Sequence, residues 1–163
     1  MEYYLGRTPS PYDPRDYNLE AFMPKGVLRF TLLREKRWDY PQETLNQDTT
    51  YHCVGFSMAN FGINSPINMK YTNDIGHSFY YMCKEEDKEP KAENGSNIRS
   101  AAKVLKKVRR INGYAFATNM SVIRWWLLNK GPMIVGTIWT QNMFTPDSNG
   151  IIIPIGDIVG GHA

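Results

Sequence analysis

Cysteine and histidine are the residue types in this sequence that can together carry out nucleophilic catalysis. Cys53 follows a polar turn and opens a segment whose apolar residues recur at helical spacing. The partial positive charge at the N-terminus of a helix favours the thiolate, which is the nucleophilic form of cysteine. A small buried core residue is the alternative interpretation at this position, and it is the one we adopt for Cys83, which lies among core-like residues. Cys53 is therefore a candidate nucleophile.

A cysteine nucleophile needs a base, and the sequence contains three histidines. His162 ends an apolar segment directly after two glycines, which permit close approach of the backbone. His52 adjoins Cys53 and would point elsewhere from a helix, while His77 precedes a short helical segment and has the pattern of a surface residue. Gln47 lies six residues before Cys53, where a side-chain amide can donate a hydrogen bond to an oxyanion. Taken alone, these residues leave the choice of base open.

The elements that would position these residues change in character along the chain. Residues 1–41 are rich in proline and tyrosine, and we interpret them as an extended arm with a short strand over residues 27–33. Helices are predicted over residues 53–63, 78–84 and 121–129, and another is predicted with Ser96 as its N-cap and its end at Asn112-Gly113. Strands are predicted over residues 133–139 and 151–155, and a third begins at residue 158. Helices followed by strands are typical of the α+β class.

Composition excludes several classes of protein. The chain of 163 residues is 42% hydrophobic, 21% charged and 13% aromatic, which favours one globular domain over disorder. Two cysteines are too few for a disulfide scaffold or a cysteine-rich zinc site. The apolar stretch of residues 131–139 is much shorter than the roughly 20 residues that span a bilayer. The N-terminus has no apolar core typical of an export signal.

Other binding chemistries have no pattern in this sequence. It contains no phosphate-binding glycine loop, no His-Glu-x-x-His motif and no paired-carboxylate motif, so we expect neither a cofactor nor a metal. The net charge of +3 and one basic cluster over residues 103–110, with no aromatic residue interleaved, indicate a solvated helix face. We therefore expect no nucleic-acid partner and no membrane partner.

Four segments, taken in order from Leu45 to Ala163, resemble the papain-like (C1-type) cysteine peptidases. Residues 47–57, QDTTYHCVGFS, resemble the nucleophile helix of that family, where a Gln stands six residues before the Cys. Asn94-Gly95-Ser96, with the helix after it, resembles the groove-lining segment of the family. Residues 129–136, NKGPMIVG, resemble the entry to its β domain, and Gly160-Gly161-His162-Ala163 resembles the strand that presents the catalytic His. The arm, with Leu5-Gly6-Arg7 and Asp13-Pro14-Arg15-Asp16-Tyr17, further resembles a branch of the family from bacteria and their phages.

This resemblance implies a fold, a reaction and a set of site residues. Residues 42–130 would form a helical half and residues 131–163 part of an antiparallel β half, with the substrate groove between them. Cys53 would be the nucleophile and His162 the general base, while Gln47 and the backbone N–H of Cys53 would form the oxyanion hole. The reaction would be acyl transfer from a peptide or protein substrate through a thioester. The groove would include Asn94, Gly95, Ser96 and Gly161.

The sequence departs from the family at several positions. Val54 stands where a Trp is frequent, and Thr50 replaces a cysteine, so a disulfide of the family is absent; this suits a reducing compartment, and we expect a cytoplasmic or virion-associated protein. The Asn or Asp that orients the His, and several further strands, have no counterpart before Ala163. We therefore expect a longer product, or another chain or further copies that complete the β half, or a loss of catalysis.

Three functions remain open at this level. The first is a thiol hydrolase that cleaves peptide or isopeptide bonds. The second is a catalytically impaired structural or interaction protein, such as a phage virion component, which would be favoured by a filled groove and by Cys53 and His162 beyond hydrogen-bond reach. The third keeps the same chemistry but acts on a peptidoglycan cross-bridge.

Overall fold

A computed structural model of the chain describes residues 4–23, 26 and 35–163. These residues form four α-helices and one two-stranded antiparallel sheet, which confirms the mixed α+β class. The helices are α1 (Cys53–Ile63), α2 (Asn73–Glu86), α3 (Ile98–Lys107) and α4 (Met120–Asn129), and the strands are β1 (Thr137–Thr140) and β2 (Ile158–His162). The strand predicted over residues 27–33 lies outside the described residues.

The core forms where α1, α2 and α3 pack together. Most residues of α1 are buried, which explains why its apolar residues are distributed around the helix rather than along one stripe. Helices α1 and α2 approach so closely that a Cβ on Gly55 would overlap the backbone of Gly76. Helix α3 contributes a stripe of small and apolar residues to this core, namely Ala101, Val104 and Leu105. The sulfur of Cys83 contacts that of Met58 at 3.4 Å inside the same core, as expected for a structural cysteine.

Three helix boundaries, one in α2 and two in α3, differ from the sequence prediction. Helix α2 begins at Asn73 rather than at residue 78, because its first residues, Asn73 and Asp74, are polar and give no apolar helical pattern in the sequence. The N-cap of α3 is Asn97, whose side chain accepts a hydrogen bond from the N–H of Ser100, so the prediction of Ser96 as N-cap is wrong. Helix α3 ends at Lys107, before Arg109 with its positive φ of 57°, and not at Asn112-Gly113.

Strand β1 covers residues 137–140 rather than 133–139, whereas β2 begins at Ile158, where the third strand was predicted to begin. Thr137 pairs with His162 and Trp139 with Gly160, and the register shifts between Trp139 and Thr140. Residues 151–155 form no strand, and the prediction there is wrong: Ile151 is 57% exposed and has no strand partner among the described residues. A strand needs a neighbour for its backbone groups, which alternating or apolar sequence alone does not supply.

The N-terminal arm is attached to the helical part at several points. Arg99 is buried at the start of α3, where its guanidinium donates hydrogen bonds to the Asp16 carboxylate and to the carbonyl of Pro11. A parallel bridge joins Asn18 to Phe116, and Leu19 is buried beyond it. These contacts lead the first residues of the arm toward the N-terminus of α1.

Candidate active site

Cys53 is the first residue of α1 and is only 1% exposed. Burial raises the pKa of its thiol, although the backbone N–H groups of Ala163 and Gly6 face the sulfur and lower the pKa in part. In this conformation desolvation of the charge therefore opposes the thiolate that the helix N-terminus was expected to favour. The sulfur is shielded from solvent, and its burial favours the protonated form.

His162 lies on β2, and its ring meets the edge of Trp139 at 4.9 Å between centroids. Among the described residues, its Nδ1 has no hydrogen-bond partner, and neither of its nitrogens is hydrogen-bonded to the sulfur of Cys53. Successive side chains of an extended strand face opposite sides, so Ala163 packs toward the core around Cys53 while His162 faces Trp139. Burial lowers the pKa of the imidazole. The backbone of this strand reaches Cys53, but the side chain of His162 does not bond to it.

Gln47 is held in the turn before α1. Its carbonyl accepts a hydrogen bond of 2.6 Å from the Thr50 hydroxyl, and its amide nitrogen donates to the carbonyl of Thr50 at 2.9 Å. The same amide nitrogen donates to the backbone carbonyl of Tyr4 at 3.2 Å. The predicted oxyanion donor therefore already binds a peptide carbonyl, which is supplied by the arm of the same chain.

The arm tip, which we define as residues 4–8, runs in extended form between the two predicted walls of the groove. On one side, the N–H of Ser96 donates to the carbonyl of Gly6 at 2.8 Å and the N–H of Thr8 donates to the carbonyl of Ser96 at 2.8 Å. On the other side, the N–H of Arg7 donates to the carbonyl of Gly161 at 3.0 Å. Arg7 and Ser96 form a parallel bridge. The arm tip thus lies between two of the segments that the resemblance assigned to a substrate groove.

Three glycines permit this close seating of backbone on backbone. A Cβ on Gly6 would overlap the carbonyl of Tyr51, which directly precedes His52 and Cys53 in the chain. A Cβ on Gly95 would overlap the carbonyl of Gly6, and one on Gly161 would overlap the carbonyl of Arg7. Glycine is required at these positions because no side chain fits between the two backbones.

Lys84 supports residues 94–96, which we call the groove wall, and the sequence pattern did not single it out. It is 1% exposed, and its ammonium donates to Asn94 Oδ1 at 2.7 Å, to the Gly95 carbonyl at 3.0 Å and to Glu89 at 2.9 Å. Asn94 therefore lies at the groove wall, with its side-chain oxygen occupied by Lys84. The spacing of Lys84, four residues after the buried Tyr80, places both on one face of α2 and was the available signal.

Asp87 and Tyr80 complete the support of that wall. The Asp87 carboxylate accepts hydrogen bonds from the hydroxyls of Ser96 and Ser100 and from the amide of Asn97. The N–H of Gly95 donates to the Tyr80 hydroxyl at 3.3 Å, and burial raises the pKa of that hydroxyl to about 12. Each polar group of the wall thereby finds a partner, as a buried polar network requires.

A second titratable cluster adjoins the site on the other side of Cys53. The imidazole of His52 is hydrogen-bonded to His77 at 2.7 Å between the two Nδ1 atoms and to Glu93 at 2.9 Å. His52 is 3% exposed and stacks on Tyr80 at 3.8 Å between ring centroids. The assignment of His77 to the surface is wrong, because its ring lies half-buried between His52 and Phe56.

The two buried imidazoles predict that stability falls in mild acid. Burial lowers the pKa of His52 and of His162 below the ordinary value of 6.5, so both are neutral in the folded and unfolded states above that pH. As the pH falls below about 6.5, the unfolded chain takes up protons that the folded chain refuses, by up to about 1.4 kcal/mol per pH unit per group. We expect the free energy of unfolding, measured by urea denaturation, to decrease from pH 7 to pH 5. The decrease per pH unit should be smaller in His162→Gln. An unchanged decrease in that variant would mean that burial of His162 does not contribute to the loss of stability in acid.

Other kinds of site are not evident in this part of the chain. Within the described residues, no three His, Cys, Asp or Glu side chains are grouped so as to hold a metal ion. In the same residues, no helix combines the length and apolar character needed to cross a bilayer. Both cysteines are free thiols. Comparison of the chain with protein-family models, with curated proteins and with solved structures finds no match.

Proposed function

We propose that this chain is a papain-like thiol hydrolase that cleaves peptide or isopeptide bonds and is held latent by its own arm tip. One observation carries the proposal: site residues predicted from separate parts of the sequence converge on a single extended peptide segment. The contacts to the arm tip come from Gln47, Cys53, Ser96 and Gly161. A surface that binds an extended chain through backbone hydrogen bonds next to a cysteine is suited to a peptide substrate.

The proposed chemistry uses these residues in fixed roles. His162 takes the proton of the Cys53 thiol, and the sulfur attacks the carbonyl carbon of the substrate. The amide nitrogen leaves with a proton from the imidazolium, and water then hydrolyses the thioester to restore the thiol. Gln47 would donate to the oxygen that becomes negative, since its amide already donates to a backbone carbonyl in the groove.

Latency accounts for two features that oppose catalysis in this conformation, the covered sulfur of Cys53 and the occupied amide of Gln47. The arm tip covers Cys53, and the sulfur is surrounded by backbone N–H groups of Gly6 and Ala163 rather than by an imidazole. A thiol that is protonated by burial is a poor nucleophile. Displacing the arm tip would hydrate the sulfur, remove the main cause of its raised pKa and free Gln47 for a substrate carbonyl. The two free thiols and the missing family disulfide fit a reducing compartment such as the cytoplasm, and a virion-associated location is the alternative.

A second candidate function is a peptide-groove protein without turnover, used in assembly. It is favoured by the filled groove and by the lack of a hydrogen bond between Cys53 and His162. Three buried polar atoms on the sheet lack partners among the described residues, at Trp139 Nε1, Thr140 Oγ1 and His162 Nδ1. Buried polar atoms are normally satisfied, so an acceptor from another polypeptide segment packed here would complete the β half.

Turnover by an opened chain distinguishes the two functions. We expect the full-length Gly6→Ala variant, whose arm tip cannot seat, to hydrolyse fluorogenic extended peptides at a rate well above that of the unaltered chain. The matched control is the same variant with Cys53→Ala, which should be inactive. A thiol-directed epoxide should label Cys53 in preference to Cys83.

The other outcomes are equally definite. Peptide binding by Gly6→Ala without any Cys53-dependent turnover would replace the hydrolase with the second function. Turnover of peptidoglycan cross-bridge fragments but not of protein-derived peptides would select a cell-wall substrate. Equal epoxide labelling of Cys53 and Cys83 in the folded variant would overturn the assignment of the nucleophile.

A further inference from the structure

The cluster of His52, His77 and Glu93 connects three parts of the chain next to Cys53. His52 is the N-cap residue of α1, but its side chain makes no capping hydrogen bond and points instead toward α2 and the loop after it. His77 lies in α2, and Glu93 lies two residues before Gly95, one of the groove glycines. The proposed reaction makes no use of this cluster.

The hydrogen bonds of the cluster fix where its protons lie. A carboxylate only accepts, so the contact of 2.9 Å places a hydrogen on Nε2 of His52, which donates to Glu93. The two Nδ1 atoms, 2.7 Å apart, can then share one hydrogen, with one ring as donor and the other as acceptor. The neutral pair satisfies this requirement, and so does the pair with one added proton. A second added proton places two N–H groups and two positive charges against each other.

The charged and titratable groups around His52 make that second proton costly. Burial lowers the pKa of His52, the carboxylate of Glu93 opposes this effect, and the charge of His77 adds to it. Tyr80 and Tyr81 face the ring from α2 and supply no further charge. His52 is buried and stacks on Tyr80, whereas His77 is only half-buried, so His77 is the ring with room to move.

The pair lies at the closest approach of α1 and α2. Gly55 is packed against the backbone of Gly76, the residue before His77, and the ring of His77 contacts Phe56 in the first turn of α1. Movement of His77 therefore disturbs the turn that carries Cys53. We propose that the His52–His77 hydrogen bond is a proton-sensitive contact that positions the first turn of α1, so that a doubly protonated pair exposes Cys53. His52 is a positioning residue in this scheme, and the inference holds whether or not Cys53 is hydrolytic.

The rate at which Cys53 reacts with dithiodipyridine, a reagent that attacks thiols even in acid, tests the proposal. We expect this rate in the full chain to rise about tenfold from pH 7 to pH 5, since interacting titratable groups separate by a pK unit or more. His77→Asn keeps an N–H donor at the place of Nδ1 but cannot take up a proton. That variant should match the unaltered chain at pH 7 and lack the rise at pH 5. Peptide mapping separates Cys53 from Cys83, whose labelling reports global unfolding.

Two further variants locate the effect. His77→Ala removes the hydrogen bond at every pH and should give the fast rate already at pH 7. His162→Gln removes the third histidine and should leave the rise intact. The proposal is overturned by a flat profile in the unaltered chain, by a rise that persists in His77→Asn or disappears in His162→Gln, or by a rise in Cys83 labelling of the same size. Because these rates report exposure of the sulfur and not turnover, failure of the hydrolase proposal would leave them unchanged.

Discussion

The Gly6→Ala chain should expose Cys53 to thiol reagents while the helical core stays folded. The added Cβ cannot be accommodated, because it would overlap the carbonyl of Tyr51, which is backbone at the entrance to α1. The arm tip must then leave its seat, which breaks at least the two hydrogen bonds nearest the clash, from Ser96 to Gly6 and from Arg7 to Gly161. Two such bonds stabilise the closed state by about 2 kcal/mol, which corresponds to about a 30-fold faster alkylation of Cys53. Iodoacetamide labelling followed by peptide mapping measures it.

A matched glycine provides the control for this prediction. Gly113 has open space where a Cβ would stand, so Gly113→Ala adds the same methyl group without a clash. Its alkylation rate at Cys53 should equal that of the unaltered chain. The remainder of the arm should stay attached in both variants, because the ion pair between Asp16 and Arg99 and the bridge between Asn18 and Phe116 lie beyond the tip. Equal rates for Gly6→Ala and Gly113→Ala would mean that the arm tip does not control access to Cys53.

Lys84→Met should cost about 3 kcal/mol of the free energy of unfolding, the cost typical of removing one partner from a buried charge network. Methionine fits the volume of the lysine stem, but the carbonyl of Gly95 and the side-chain oxygen of Asn94 then lose their donor in a buried place. The groove wall should loosen together with the fold. Urea denaturation at pH 7 measures the loss of stability. A faster alkylation of Cys53 at low denaturant concentration reports the loosening of the groove wall.

Lys103→Met is the matched substitution on a neighbouring helix. Its ammonium pairs with Glu86 at 3.0 Å, but the side chain is 41% exposed, and exposed pairs contribute no more than about 1 kcal/mol. Both variants replace lysine by methionine within a helix, where the two residues have similar propensities. Similar losses of stability in the two variants would show that the buried hydrogen bonds of Lys84 do not stabilise the groove wall.

Local sequence determined much of the helical part. The bounds of α1 followed from apolar spacing after a polar turn, and they agree with residues 53–63. The amphipathic stripe of α3 was predicted equally well, since Ala101, Val104 and Leu105 recur on one helical face. The polar end of a helix and the presence of a strand were harder to predict. Where α2 starts, and whether residues 151–155 form a strand, depend on what packs against them. The resemblance that singled out Gln47, Gly95, Ser96 and Gly161 likewise used residue order alone.

Only the tertiary structure decided how these residues meet. Residue types indicated a thiolate at Cys53, yet the fold buries the sulfur under Gly6, and desolvation reverses the direction of its pKa shift. Residue order predicted that the strand of His162 lies at the site. Side chains alternate between the two faces of a strand, however, and the His162 ring faces Trp139. The seating of residues 4–8 in the groove and the burial of Lys84 beneath its wall join positions far apart in the chain. Sequence thus determines which chemical groups are available and which local elements carry them, whereas burial and side-chain direction arise from long-range packing and decide their chemical state.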